Sequence, residues 1–260
     1  MTDSNKQSRV LVNVLGIPLL LSAIYFGGIY FQCLIFIAIF MSTFELYSMC
    51  LKKDIEIQII PMFLFYSYLF LTHLLESIPI NIEILIFWLV LILSLEVFRK
   101  KTKPIENIAV SIFGIVWIGL FMNCLVIIRN INNGMELTLM MFLSVWICDS
   151  AAFIFGSKFG KSKILPNISP NKTWLGSVSG IISVFCFLCF YFMWDNYSNL
   201  SQCLLSSLVL TIIFGVISQI GDFVESMIKR QFEVKDSGTT LRGHGGFLDR
   251  MDSLILVAPI

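Results

Sequence analysis

The chain has 260 residues, of which 57% are hydrophobic, 14% aromatic and 13% charged, with a formal net charge of +1 and a mean hydropathy of +0.86. A soluble domain carries about 25% charged residues, and much of any folded surface must face water, which leaves no place in an aqueous fold for 24 Phe and 11 Met. The numbers exclude an ordinary soluble domain, a disordered chain, a collagen-like fibre and a disulfide-stapled module, and they point to a bilayer as the solvent.

The first segment, Met1–Arg9, carries Lys6 and Arg9 and precedes an apolar stretch without a small-residue cleavage site. It reads as a cytoplasmic tail before a retained anchor, not as a removed signal peptide. Stretches able to cross about 30 Å of hydrocarbon then run over 10–26, 29–51, 57–75, 80–98, 105–128, 135–156, 174–194 and 201–221. With the N-terminus inside, the inner loops hold seventeen of the eighteen basic residues, and only Arg129 falls outside. That asymmetry is the positive-inside rule. It predicts an all-α, polytopic membrane bundle of about eight full spans plus a short C-terminal helix, with short outer loops at Phe26–Gly28, Ser77–Pro79, Arg129–Gly134 and Asp195–Leu200. Residues 10–128 read as structural membrane helices, and 129–260 as membrane helices carrying a site on the cytoplasmic face.

Glu45, in Phe44-Glu45-Leu46-Tyr47 near an inner end, is expected to snorkel or to pair with a lysine. All seven cysteines lie within or at the edge of apolar stretches and read as small buried hydrophobes. Cys186 and Cys189 have CxxC spacing but lie mid-span, without histidine or a second pair, so zinc is not indicated.

Chemistry concentrates after residue 146. A carboxylate at Asp149, about 10 Å inside the inner end of its stretch, costs about 2.5–3.5 kcal/mol on insertion scales. It should face a polar cavity or a partner, either as a packing residue beside a lysine or as a ligand for a cation or substrate. In Ser169-Pro170-Asn171-Lys172-Thr173-Trp174, Pro170 and the hydroxyl residues suit a helix start, whose free N–H groups attract anions. The segment is equally readable as inner basic charge, and it lacks Walker A spacing.

The densest signal runs from Gln219 to Asp252. On a helix, Asp222, Glu225 or Ser226, and Lys229 recur at steps of three and four and share one face. Glycines 238, 243, 245 and 246 allow close backbone approach and anion-binding nests. Asp249 and Asp252 can present two carboxylates on one helical turn. Mg²⁺ is usually held by one or two carboxylates plus substrate phosphates, so this mixture of acids, bases and glycines describes a metal-assisted phosphoryl or nucleotidyl site.

The run Ser226-Met227-Ile228-Lys229-Arg230, Lys235-Asp236, Gly238, Leu241, His244-Gly245-Gly246-Phe247 and Asp249-Arg250-Met251-Asp252 resembles the long signature of the phosphatidate cytidylyltransferases, the CDP-diacylglycerol synthases. Asp149-Ser150-Ala151-Ala152-Phe153, Gly156, Phe159-Gly160-Lys161 and Ser169–Trp174 are similar to that family's other cytoplasmic motif. Three features depart from the pattern. Arg242 replaces the usual Pro or Gly, Leu175 replaces the usual Glu, and Ile260 follows Asp252 by only eight residues, a length expected to weaken the anchoring of the Asp249–Asp252 turn.

The resemblance implies that CTP and phosphatidate give CDP-diacylglycerol and pyrophosphate. It assigns catalysis to Asp222, Lys229, Asp249 and Lys172, with Asp222, Asp249 and Asp252 holding Mg²⁺ and room for a second cation. Arg230, Lys235, Asp236, Gly243, His244, Gly245, Gly246, Arg250 and Asp149 would line the substrate site. The implied partners are CTP, phosphatidate and membrane lipid, with no nucleic acid and with room for a homodimer; the implied location is a bacterial inner membrane, with N-terminus and site cytoplasmic. The alternatives are another lipid-linked nucleotidyltransferase and an ion-coupled transporter. The D-x-x-D-G-x-x-A-R pattern of the CDP-alcohol phosphotransferases is absent.

Overall fold

The computed structural model of the chain describes residues 3–75, 81–194, 199–238, 240 and 245–260, with side chains from Val14 onward. The apolar stretches form helices: α1 (Asp3–Phe26), α2 (Gly28–Leu51), α3 (Ile59–Leu75) and α4 (Ile82–Arg99). They are followed by α5 (Pro104–Asn130), α6 (Gly134–Phe159), α7 (Trp174–Trp194), α8 (Leu200–Gln231) and the short α9 (Leu248–Val257). A two-stranded antiparallel hairpin, β1 (Lys163–Leu165) and β2 (Ser169–Thr173), joins α6 to α7. Helices α2, α5, α6, α7 and α8 are each long and apolar enough to cross a membrane, whereas α3 and the apolar part of α1, Val14–Phe26, are shorter. The protein is an all-α polytopic membrane fold. Of the expected outer loops, Ser77–Pro79 and the start of Asp195–Leu200 lie outside the described residues.

The chain divides into two compact units, Met1–Met135 with Phe232–Met251, and Glu136–Gln231 with Asp252–Ile260. A stretch late in sequence therefore belongs to the unit built from α1–α5. In that unit, Pro104 opens α5 at the position where a missing N–H is harmless. A π-helical turn at Ile115–Leu120 interrupts α5. The wider winding of a π turn keeps Gly114 and Gly119, five residues apart, both turned toward α3, where any Cβ would collide with Met62 and Tyr66 respectively.

Where α3, α4 and α5 meet near their charged ends, buried Glu96 accepts hydrogen bonds from Asn107 Nδ2, Gln58 Nε2 and Arg99 Nη1, each at 2.8 Å. Asn107 Oδ1 in turn accepts from the Glu56 N–H at 2.7 Å. Arg129, the one basic residue on the other side of the charge pattern, caps α1. Its Nε donates to the Ile24 carbonyl at 2.6 Å and its Nη2 to that of Tyr25 at 3.1 Å, satisfying carbonyls that a helix end leaves open.

In the second unit, small residues bring helices together, as they do where no hydrophobic drive separates helix from lipid. A Cβ on Gly180 of α7 would stand 2.9 Å from the Cys148 carbonyl of α6, and one on Gly176 would stand 2.7 Å from that of Ala152. The helix start expected at Pro170 is displaced. Ser169–Thr173 is a strand, and α7 begins at Trp174. Proline is tolerated in so short and open a strand, and it is Thr173 that acts at the helix entrance, its Oγ1 accepting from the Gly176 N–H at 3.2 Å. A π-helical turn at Ile212–Ile217 precedes the charged end of α8.

Candidate active site

In the second unit, the charged end of α8 carries Asp222, whose carboxylate forms an ion pair with Lys172 of β2. Lys172 Nζ also lies 4.5 Å from the centroid of the Phe223 ring, a cation–π arrangement that orients the ammonium further. Ser226, one turn on, donates from Oγ to Asp222 Oδ1 at 3.2 Å. The helical face read from the sequence is therefore present, and Glu225 and Lys229 on it form a second pair with side-chain exposures of 0% and 12%. Arg230 is exposed and donates from Nε to the Ile168 carbonyl in the hairpin turn at 3.2 Å.

Asp252 of α9 completes this group. Burial pushes its carboxyl up to about 7; the charges of Asp222 and Asp149 push the same way, against the Ser253 N–H and Lys172. The Asp252 carboxyl is therefore within reach of the charges of Asp222, Asp149 and Lys172. Gly221 lets the two helices approach, because a Cβ there would stand 2.6 Å from the Asp252 carbonyl oxygen. Behind Asp222, buried Gln219 ties α6, α7 and α8 together. Its Nε2 donates to Cys148 Sγ at 3.3 Å and to the Ser177 carbonyl at 3.2 Å, while its Oε1 accepts from Ser177 Oγ.

The remaining predicted residues belong to the first unit. Lys235, Asp236 and Arg250 are exposed. Gly243, His244 and Arg242 lie outside the described residues. Asp249, at the start of α9, accepts on Oδ2 from the Ser237 N–H at 3.0 Å, Ser237 Oγ at 3.0 Å and the Gly246 N–H at 2.7 Å. Gly245 has φ +80° and sits so close to that oxygen that a Cβ would collide with it. Asp249 organises the glycine turn. Glu45, expected to snorkel or to pair with a lysine, is instead buried against the same turn and accepts from hydroxyl and backbone donors there. The sequence readings assigned no role to Gln219, Ser237 or Thr240. A buried glutamine, and a carboxylate in an otherwise apolar helix, were the signals available.

Among the described residues, no three His, Cys, Asp or Glu side chains stand close enough to form a ready-made metal cage. The donor set nevertheless suits Mg²⁺ in its usual mode of one or two carboxylates plus phosphate oxygens. Burial is the larger reason the Asp252 carboxyl is raised, and the charge of Asp222 adds to it; a divalent cation beside the two carboxylates would offset that second contribution.

Residues 7–260 match the cytidylyltransferase family. The phosphatidate cytidylyltransferase of Bacillus subtilis (strain 168) is 31% identical over 258 residues, covering 97% of this chain and 95% of that protein. That of Staphylococcus saprophyticus is 33% identical over 254 residues, covering 97% and 96%. That of Staphylococcus aureus (strain COL) is 35% identical over 181 residues, covering 70% and 68%. With the family match extending over nearly the whole length, both units and both charged segments included, the chain belongs to the cytidylyltransferase family.

Proposed function

We propose that the protein transfers the cytidylyl group of CTP to phosphatidate, forming CDP-diacylglycerol and pyrophosphate. A phosphate oxygen of the lipid attacks the α-phosphorus of CTP in line; a new P–O bond forms as the bond from that phosphorus to the bridging oxygen of the β-phosphate breaks. The nucleophile is an already ionised phosphate oxygen, so no protein nucleophile is needed. The protein's task is to hold two anionic substrates together and to oppose the charge that gathers between them.

The observation that carries the reading is Lys172, held between Asp222 and the Phe223 ring and facing a group of carboxylates. An ammonium fixed from two sides is pre-oriented for phosphate and loses little freedom when phosphate arrives. Asp222 and Asp252, with Asp149 beside them, would hold Mg²⁺, which would supply positive charge to offset that of the substrate phosphates. Lys229, kept in place by Glu225, and Arg230, Lys235 and Arg250 are assigned to the triphosphate and the lipid phosphate. Asp249 holds the glycine turn that is assigned to close phosphate approach. Since CTP is a cytoplasmic nucleotide, these charged segments are assigned to the cytoplasmic side, in keeping with the distribution of basic residues along the chain.

The test is production of CDP-diacylglycerol by protein purified in detergent with phosphatidate, CTP and Mg²⁺. Product is expected only with all three. Intact, folded protein that yields none overturns the assignment. Near-normal turnover in Asp222→Asn overturns the role given to that carboxylate.

A further inference from the structure

Glu45 is a carboxylate in the apolar sequence of α2, six residues before the helix ends at Leu51, and it is 3% exposed. A carboxylate removed from water is tolerated only where donors replace its hydration. Here four do so, all of them from a segment about 190–200 residues later in the chain. Oε2 accepts from Ser237 Oγ at 2.9 Å and from the Leu248 N–H at 3.0 Å. Oε1 accepts from Thr240 Oγ1 at 2.6 Å and from the Phe247 N–H at 2.9 Å. Two donors precede the Gly243–Gly246 run in sequence and two follow it. The single carboxylate therefore ties the ends of the glycine-rich segment to one another and to a membrane helix.

Two glycines of the glycine-rich segment, Gly238 and Gly246, pack directly against this carboxylate. A Cβ on Gly238 would stand 2.8 Å from Glu45 Oε1, and one on Gly246 would collide with Glu45 Oε2 and Ser237 Oγ. The backbone must close down on the carboxylate at both places. Ser237 links this anchor to Asp249, because its hydroxyl lies within hydrogen-bonding distance of both Glu45 Oε2 and Asp249 Oδ2. A hydroxyl has one proton and donates to one carboxylate at a time, so the two acids share it while the Ser237 N–H holds Asp249. The rotamer of Asp249 thus depends on Glu45 through a single intervening residue.

We infer that Glu45 is a positioning residue for the cytidylyl-transfer site, a buried carboxylate that holds Ser237, Thr240, Phe247 and Leu248 together and, through Ser237, the carboxylate of Asp249. It touches neither substrate. Its effect on turnover rests on the function proposed above; its effect on the turn does not.

The experiment uses the full-length protein in detergent and reads both quantities. Glu45→Gln keeps size and shape but places an amide NH₂ against donors on one side, so at least two of the four hydrogen bonds are lost. The expected result is amide hydrogen exchange at Phe247 and Leu248 faster by at least tenfold, with exchange in α3 and α5 unchanged. Turnover should fall at least tenfold, while KM for phosphatidate stays within twofold. Ser237→Ala, which removes only the shared hydroxyl, is expected to lower turnover in the same direction and keeps the test decisive if Glu45→Gln does not fold. Glu45→Asp, one methylene shorter but still a carboxylate, is expected to recover part of the turnover lost in Glu45→Gln. Unchanged exchange at Phe247 and Leu248 in Glu45→Gln overturns the anchoring role. Faster exchange with wild-type turnover overturns the positioning role alone. A wild-type protein that shows protected Phe247 and Leu248 amides but makes no CDP-diacylglycerol overturns the proposed function and leaves the anchor standing.

Discussion

Gly221 is where a single added carbon should separate Asp252 from Asp222. Alanine at a helical position is favoured over glycine by about 0.5–1 kcal/mol, so Gly221→Ala would stabilise α8 if nothing stood nearby. A Cβ there, however, would lie 2.6 Å from the Asp252 carbonyl oxygen and 3.1 Å from Ser253 Cα. Both neighbours are backbone and cannot rotate aside. An ordinary contact needs about 3.4 Å, so α9 has to retreat by about 0.8 Å, carrying Asp252 with it. Overpacking of this kind costs about 1–3 kcal/mol, which cancels or exceeds the helix gain. A displacement near 1 Å in a positioned group lowers turnover by about a hundredfold. We therefore expect Gly221→Ala to fold with a modest loss of stability and to turn over about thirty- to a hundredfold more slowly. The assay is CDP-diacylglycerol formation at saturating CTP and phosphatidate, beside thermal unfolding in the same detergent. Gly16→Ala is the control, since nothing stands within 4 Å of a Cβ there, and it should match the wild type in turnover. Gly221→Ala turning over within twofold of wild type refutes the link between this helix approach and the site.

Removing Lys172 as Lys172→Met should lower turnover by about a hundredfold, the usual loss when one pre-oriented charge partner is deleted, and a loss below threefold contradicts its role. Asp252 has a folded-state pKa raised to about 7, above the unfolded value of about 3.9. The unfolded carboxyl therefore ionises first, and metal-free protein should lose stability as pH rises from about 4 to about 7 and then level off. Asp252→Asn should flatten that profile, and Mg²⁺ should restore stability at pH 8 but not at pH 5; identical profiles for variant and wild type speak against the shift. Asn107→Ala removes the acceptor at 2.7 Å from the Glu56 N–H and the donors at 2.8 Å to Glu96 and to the Thr102 carbonyl. At about 1 kcal/mol for each bond, unfolding should become easier by about 3 kcal/mol, with KM for both substrates unchanged. A shift in either KM would place this polar cluster in the site.

The helices were readable because their signal is local. Five of them, α2 and α5 to α8, are apolar runs of a length that a bilayer selects, and lysines, arginines, glycine or Pro104 mark several of the helix ends. The face bearing Asp222, Ser226 and Lys229 was readable for the same reason, since helical spacing alone brings those side chains together. Local signals also misled: Pro170 in a hydroxyl-rich segment reads as a helix start, but cross-strand pairing with Lys163–Leu165 makes it a strand and moves the start to Trp174. Arg129 looked like an exception to a charge rule, and only its position beside the end of α1 made it a cap.

By itself, then, the amino-acid sequence determined the solvent of this protein, its helices and the segments that hold its charge, because periodicity, length and composition act over a few turns of chain. The tertiary structure decided which charges meet. Lys172 finds Asp222 across 50 residues, Gly221 admits the Asp252 backbone, and Glu45, which reads as an isolated acid near a membrane surface, becomes the anchor of a turn about two hundred residues away. Such pairings depend on how helices cross and where small residues let backbones approach, and a carboxylate carries no mark in sequence of the donors that will replace its water.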